Sequence, residues 1–180
     1  MKPALSLSCR CGRVQIELFG EPLVCADCCC TSCQSAAQRL ARLSGAPQLV
    51  GPFGETRFVL YRKDRVHLPE GPSKLRAFRL STSATTRRVV ARCCNTPLFL
   101  EFKGGHWLSL YGALWPDGTR PRAELRTMTR DMPNRAALPH DIPNCSTHSL
   151  SFYGRLFAAW VAMGLRSSTT NVEGELDADI

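Results

Sequence analysis

Between residues 13 and 19, Val14, Ile16 and Leu18 alternate with Arg13, Gln15 and Glu17. Successive side chains of a strand face opposite sides, so this pattern predicts a half-buried strand. Residues 5–8 read as its partner across a Cys-x-Cys-Gly corner, and Gly20-Glu21-Pro22 closes the second strand. After Gly51-Pro52 the short-strand pattern recurs at 56–62, 65–68, 75–80, 87–92, 98–102 and 107–111. Strands this short at such regular spacing predict a mainly β body of antiparallel sheets.

Two stretches change the period. Ala36, Ala37, Leu40 and Leu43 recur at helical spacing and predict a short helix over residues 32–43. It follows a cysteine-dense loop at 25–33, with Thr31 or Ser32 as its cap and Gly45 as its stop. Leu150, Tyr153, Phe157, Trp160 and Val161 predict a C-terminal helix over 150–165. Residues 116–147, rich in Pro, Arg and Asp, read as a long irregular connection inside a single domain spanning 1–166. In 167–180, Glu173, Glu175, Asp177 and Asp179 alternate with small or apolar residues, which predicts a flexible acidic tail.

Composition narrows the class. At 180 residues and 44% apolar, the chain can bury one core, and wholesale disorder is excluded. The longest apolar run, 156–165, falls short of the ~20 residues that cross a bilayer. Only Lys2 precedes a short apolar start that Cys9 and Arg10 interrupt, so no signal peptide is expected. A cytoplasmic, reducing compartment follows as the expectation, with cysteines acting as thiols or metal ligands before disulfides. The net charge of +8 is carried almost entirely by scattered arginines. They read first as solvated surface, and no basic run interleaved with aromatics points to nucleic acid.

The chemistry lies in ten cysteines, nine of them in three groups. The groups are Cys9-Arg10-Cys11-Gly12, the run from Cys25 to Cys33, and Cys93-Cys94-Asn95-Thr96-Pro97. Thiolates at such spacing suit zinc, which takes four ligands tetrahedrally. Cys9 and Cys11 with Cys93 and Cys94 can fill one structural site. Cys28, Cys30 and Cys33 can hold a second ion from one loop, leaving a fourth position for a substrate. Cys25, Cys29 and Cys145 read as buried small hydrophobes. A redox pair of Cys30 with Cys33 would scramble, since five cysteines fall within nine residues here. An iron–sulfur cluster within the loop, or a nucleic-acid-binding zinc ribbon, is the other alternative.

At these residues the sequence resembles the glutathione-dependent formaldehyde-activating enzyme family, which includes centromere protein V-like proteins. The family pattern is Cys-x-Cys-Gly-x-Val, then Cys-His-Cys-x-x-Cys, then Cys-x-x-Cys-Gly-Thr-Pro-Leu-Phe. The matching blocks are Cys9 to Val14, Cys28 to Cys33 and Cys93 to Phe99, within residues 5–102. The resemblance implies a β-tent fold, one structural zinc, and a three-cysteine zinc at the active site. It further implies a carbon–sulfur lyase reaction that adds glutathione to formaldehyde. Cys29 stands where the family has histidine, and Asn95 replaces the knuckle glycine. Ala91 falls where the first knuckle cysteine belongs. Cys93 can substitute, but adjacent cysteines close a small ring, so three or four sulfurs remain open at the structural site.

As an enzyme, the chain would act through Cys28, Cys30 and Cys33 on a small-molecule thiol and aldehyde. Arg39 and Arg42 on the following helix are candidates to hold the carboxylates of glutathione. His140 and His148 flank Cys145 as candidate acid–base groups. The alternatives are a non-catalytic zinc-stabilised scaffold, or a metal or redox sensor in which Cys25 and Cys29 pair with ligand cysteines.

Overall fold

The computed structural model describes residues 3–176 and is mainly β. The elements run β1 (Leu5–Ser8), β2 (Gln15–Leu18), β3 (Val24–Cys28), α1 (Thr31–Leu40), β4 (Thr56–Arg62), β5 (Val66–His67) and β6 (Leu75–Phe78). They continue as β7 (Thr86–Ala91), β8 (Pro97–Phe102), β9 (Trp107–Tyr111), β10 (Leu125–Thr127), α2 (Leu150–Ala162) and β11 (Gly174–Glu175). Strands β1, β2 and β5 form a small sheet. The large sheet has the order β10-β3-β4-β9-β8-β7-β6-β11. Its interior pairs are antiparallel, while β10 and β11 add in parallel at its two edges.

The large sheet is buried on both faces, and strand alternation decides which residue serves which face. Val59 and Tyr61 of β4 pack with Leu108 and Leu110 of β9 toward Leu7, Ile16 and Leu18 of the small sheet. Phe58, Leu60, Leu100 and Tyr111 face the other way, toward Ala36, Ala37 and Leu40 of α1 and Phe152 and Leu156 of α2. A register shift between Val89 and Val90 lets Leu98 and Phe99 of β8 both join the first core. No helix among the described residues is long and apolar enough to cross a membrane.

Four expectations change. The loop at 25–33 begins as β3, because β4 and β10 supply its backbone partners from distant parts of the chain. β10 lies inside the stretch expected to be irregular. The predicted first helix stops earlier, at Leu40, and its cap is Cys30, whose sulfur accepts from the Cys33 N–H. The tail does not fray as far as Leu176. Gly174–Glu175 pairs with β6, and Leu176 N–H donates to the Ala77 carbonyl at 2.7 Å. Asp177 and Asp179, like Lys2, lie outside the described residues.

The tail is anchored by charge. Glu101, 2% exposed, pairs with Lys63 at 2.6 Å and with Arg87 at 2.6 Å. It also accepts from the Thr170 N–H and hydroxyl, while the Lys63 ammonium and Arg87 guanidinium donate to the Ser168 and Thr170 carbonyls. Glu101→Ala leaves Lys63 buried without its counter-ion, which is expected to cost about 3–5 kcal/mol in denaturant unfolding. Amide exchange over 168–176 should accelerate more than over α1. Unchanged protection there would show that the anchor does not hold the tail.

Candidate metal centres

The first cluster joins the two sheets. Cys9 and Cys11 sit in the β1–β2 turn, and Cys93 and Cys94 sit in the β7–β8 turn. Their four sulfurs all lie within 4.8 Å of one another. The Sγ–Sγ distances are 3.6 Å for Cys9–Cys11 and Cys9–Cys93, 3.3 Å for Cys11–Cys93 and 3.8 Å for Cys93–Cys94. Four sulfurs held 2.3 Å from one tetrahedral ion stand about 3.8 Å apart, so this donor set fits a metal.

The local sequence explains how adjacent cysteines converge. Asn95 adopts the left-handed conformation, φ 57°, turning the chain immediately after the pair. Its side chain is fixed by accepting from Arg76 at 2.6 Å and donating to the Ser44 carbonyl at 2.9 Å. Ala91 points into the first core and is fully buried, so Cys93 provides the sulfur instead. Thr96 ties the turns together, accepting from the Arg10 N–H at 3.1 Å and lying 3.1 Å from Cys94 Sγ. Burial pushes the Cys9 and Cys93 thiols up. Burial also acts on Cys94, but the Thr96 hydroxyl and nearby backbone groups overcome it and lower that thiol to about 6.

The second cluster is built by one strand end and one helix start. Cys28 ends β3, Cys30 caps α1 and Cys33 lies in its first turn, with all three sulfurs within 4.8 Å of one another. Cys28 Sγ donates to Cys30 Sγ at 3.4 Å, and the Cys33 N–H reaches the same sulfur at 3.4 Å. Cys30 is therefore the thiolate of the set, lowered to about 2 by hydrogen bonds first from Cys28 and then from Cys33. Cys28 is pushed up to about 12 by its bond to Cys30, and Cys33 is raised by Cys28 and Cys30. Cys29 is fully buried outside the cluster, and burial raises it to about 12. Cys25, also buried, is raised by burial to about 11. Cys25 belongs to the first core, its Sγ donating to the Pro121 carbonyl at 3.4 Å, and Cys145 is half-buried against the second core.

All three sulfurs open on a cleft of about 700 Å³ between the large sheet and α2. Phe152, Tyr153, Leu156, Phe157 and Trp160 form its α2 wall, and Phe102 and Trp107 stand opposite. Arg88 lines it at 1% exposure, donating to the Ser32 carbonyl and toward Thr86, with its Nε lacking any partner. His148 lies there against Phe152, ring centroids 4.7 Å apart, and burial lowers its basicity. His106 also lines the cleft but is committed to the Leu156 carbonyl at 2.7 Å. Two smaller cavities, of about 260 and 400 Å³, contain no cysteine.

Several predicted residues fall elsewhere. Neither Arg39 nor Arg42 lines the cleft, and Arg39 donates to the Leu80 carbonyl at 3.4 Å. His140 is exposed and outside the cleft. Conversely, Arg88 and the aromatic wall escape the sequence reading. The only signal for Arg88 is alternation, since in β7 it shares a face with Val90, which packs toward the helices.

No protein-family model matches the chain, and no curated protein matches it. Among solved structures it is similar to a crystal structure of a Rhodobacter sphaeroides protein, at 18% identity and a TM-score of 0.44. That match covers 66% of this chain and 93% of the other.

A metal ion on Cys28, Cys30 and Cys33 needs three thiolates, whereas the free trio holds its charge on Cys30. Binding therefore releases the protons of Cys28 and Cys33, and affinity must fall as pH falls. Near neutral pH, competition against a chromophoric chelator should show about a hundredfold loss of affinity per pH unit at this site. A pH-independent affinity would contradict this assignment of protons.

Proposed function

We propose that the chain is a zinc-binding protein acting as a carbon–sulfur lyase on small-molecule thiols and aldehydes, in a reducing, cytoplasmic compartment. The observation that carries this reading is the opening of a three-sulfur centre, with no fourth ligand in its cluster among the described residues, onto an apolar cleft. Soft thiolate donors suit zinc, which takes four ligands tetrahedrally. Cys28, Cys30 and Cys33 would hold the reactive ion, and Cys9, Cys11, Cys93 and Cys94 a structural one. When bound, zinc would supply a soft position for a substrate sulfur and favour its thiolate form. Glutathione and formaldehyde, the pair implied by the family resemblance, are the reference substrates.

The chain's own groups fit the remaining steps. Arg88 places a fixed positive charge beside the three sulfurs, favouring anionic sulfur in the cleft. His148, which burial keeps toward its neutral form, lines the same cleft and offers a ring nitrogen that can accept a proton. The carbon–sulfur bond forms as the carbonyl π bond breaks, and the thiol proton ends on the new hydroxyl oxygen. The apolar wall from α2 limits water around the reacting groups.

A second reading, a zinc-stabilised scaffold without catalysis, is favoured by the apolar residues that α2 leaves exposed, among them Leu150 and Val161. The two readings separate on Cys30→Ala. As a lyase, that variant keeps its fold and the ion of the four-sulfur site but loses thiol-dependent aldehyde consumption by about a hundredfold or more. Turnover equal to the parent protein's would exclude the three-sulfur mechanism.

A further inference from the structure

The walls of the cleft suit a different thiol from the tripeptide that the family resemblance implies. At about 700 Å³ the cleft has the size of a site for a whole small organic molecule, far beyond the needs of a one-carbon aldehyde. It runs from the three sulfurs to an aromatic wall. Phe157 is 62% exposed, Trp160 37% and Phe102 39%, although all three line the cavity. Aromatic surface left in water at the mouth of a reactive site gains free energy when a ligand's apolar body covers it.

Charge argues in the same direction. Glutathione brings two carboxylates and an ammonium group, each needing a partner when taken from water. Apart from His106 and His148, the charged residues lining the cleft are Arg88 and Asp131. Asp131 already accepts from the Thr31 N–H at 3.2 Å and would repel a carboxylate. Arg88 lies at the buried sulfur end, donating to the Ser32 carbonyl beside Cys33, where an anionic sulfur is the group it complements. Around Phe157 and Trp160 the lining is aromatic and aliphatic apart from His106, which stacks on Trp160 and is already bonded to the Leu156 carbonyl.

We propose that the cleft takes a thiol with an uncharged aromatic or alkyl body, its sulfur at the three-cysteine centre and its body against Phe157 and Trp160. This rests on the reading of that centre as a thiol-binding site and names its substrate class. The thiol is bound without covalent change. In the lyase step its sulfur adds to an aldehyde carbon and its proton passes to the carbonyl oxygen.

Three probes decide the matter on zinc-loaded protein: 2-phenylethanethiol, 2-phenylethanol and glutathione. Binding is read by calorimetry and by the fluorescence of Trp107 and Trp160, both in the cleft wall. The thiol is expected to bind about tenfold or more tightly than glutathione, and Phe157→Ala to remove about that factor for it alone. Because Phe157 is largely exposed, this variant should keep the parent's zinc content, which is measured alongside. Glutathione binding as tightly as 2-phenylethanethiol, or insensitivity to Phe157→Ala, would overturn the proposed substrate class while leaving a thiol site intact. Equal affinity for 2-phenylethanol and its thiol would overturn both, since sulfur would then confer nothing.

Discussion

Four sulfurs brought within 3.8 Å of their neighbours are an unfavourable arrangement unless something takes their charge. Thiolates at that distance repel, and neutral thiols are weak hydrogen-bonding partners that gain little by clustering. Yet the turns carrying them are shaped to bring them together, with Asn95 left-handed and Thr96 bonded to both sides. One turn belongs to the small sheet and the other to the large one. An ion here would lock the two layers that enclose the first core, and its binding free energy would be folding free energy.

The large sheet connects this lock to the cleft. On one face, Val89 and Ala91 of β7 pack toward the small sheet. On the other, Arg88 and Val90 of the same strand face the helices, which places a cation beside Cys30. The strand that leads into the structural knuckle thus also forms the floor of the cleft. Such a division separates roles cleanly. The four-sulfur site is closed by its own ligands, whereas the three-sulfur site depends on a strand end and a helix start that leave one side open.

The mainly β body and the three-sulfur cluster were legible because each rests on short-range pattern, while the four-sulfur cluster showed in the sequence as two close-spaced cysteine pairs. Alternation marks Val14, Ile16 and Leu18, and close spacing marks Cys28, Cys30 and Cys33 as a chelating set. What escaped depends on partners distant in sequence. β3 exists because β4 and β10 flank it, and nothing local in Leu125–Thr127 announces a strand. The tail reads as acidic and loose until Lys63, Arg87 and Glu101 hold the backbone at Ser168 and Thr170. Arg39 and Arg42 are near the three cysteines in the chain but do not line the cleft. The arginine at the cleft, Arg88, comes from a strand more than forty residues further on. Ala91 and the adjacent Cys93 and Cys94 left the number of sulfurs undecided, and the left-handed turn at Asn95 brings the fourth within reach.

The central claim is that two separate cysteine constellations each hold one ion, and the direct measurement is metal content per chain. Protein purified without chelator should carry two zinc ions by elemental analysis and native mass spectrometry. Cys94→Ser and Cys30→Ser should each lose one ion and keep the other. Protein carrying no zinc, with iron in its place or with these cysteines joined as disulfides, would contradict the account.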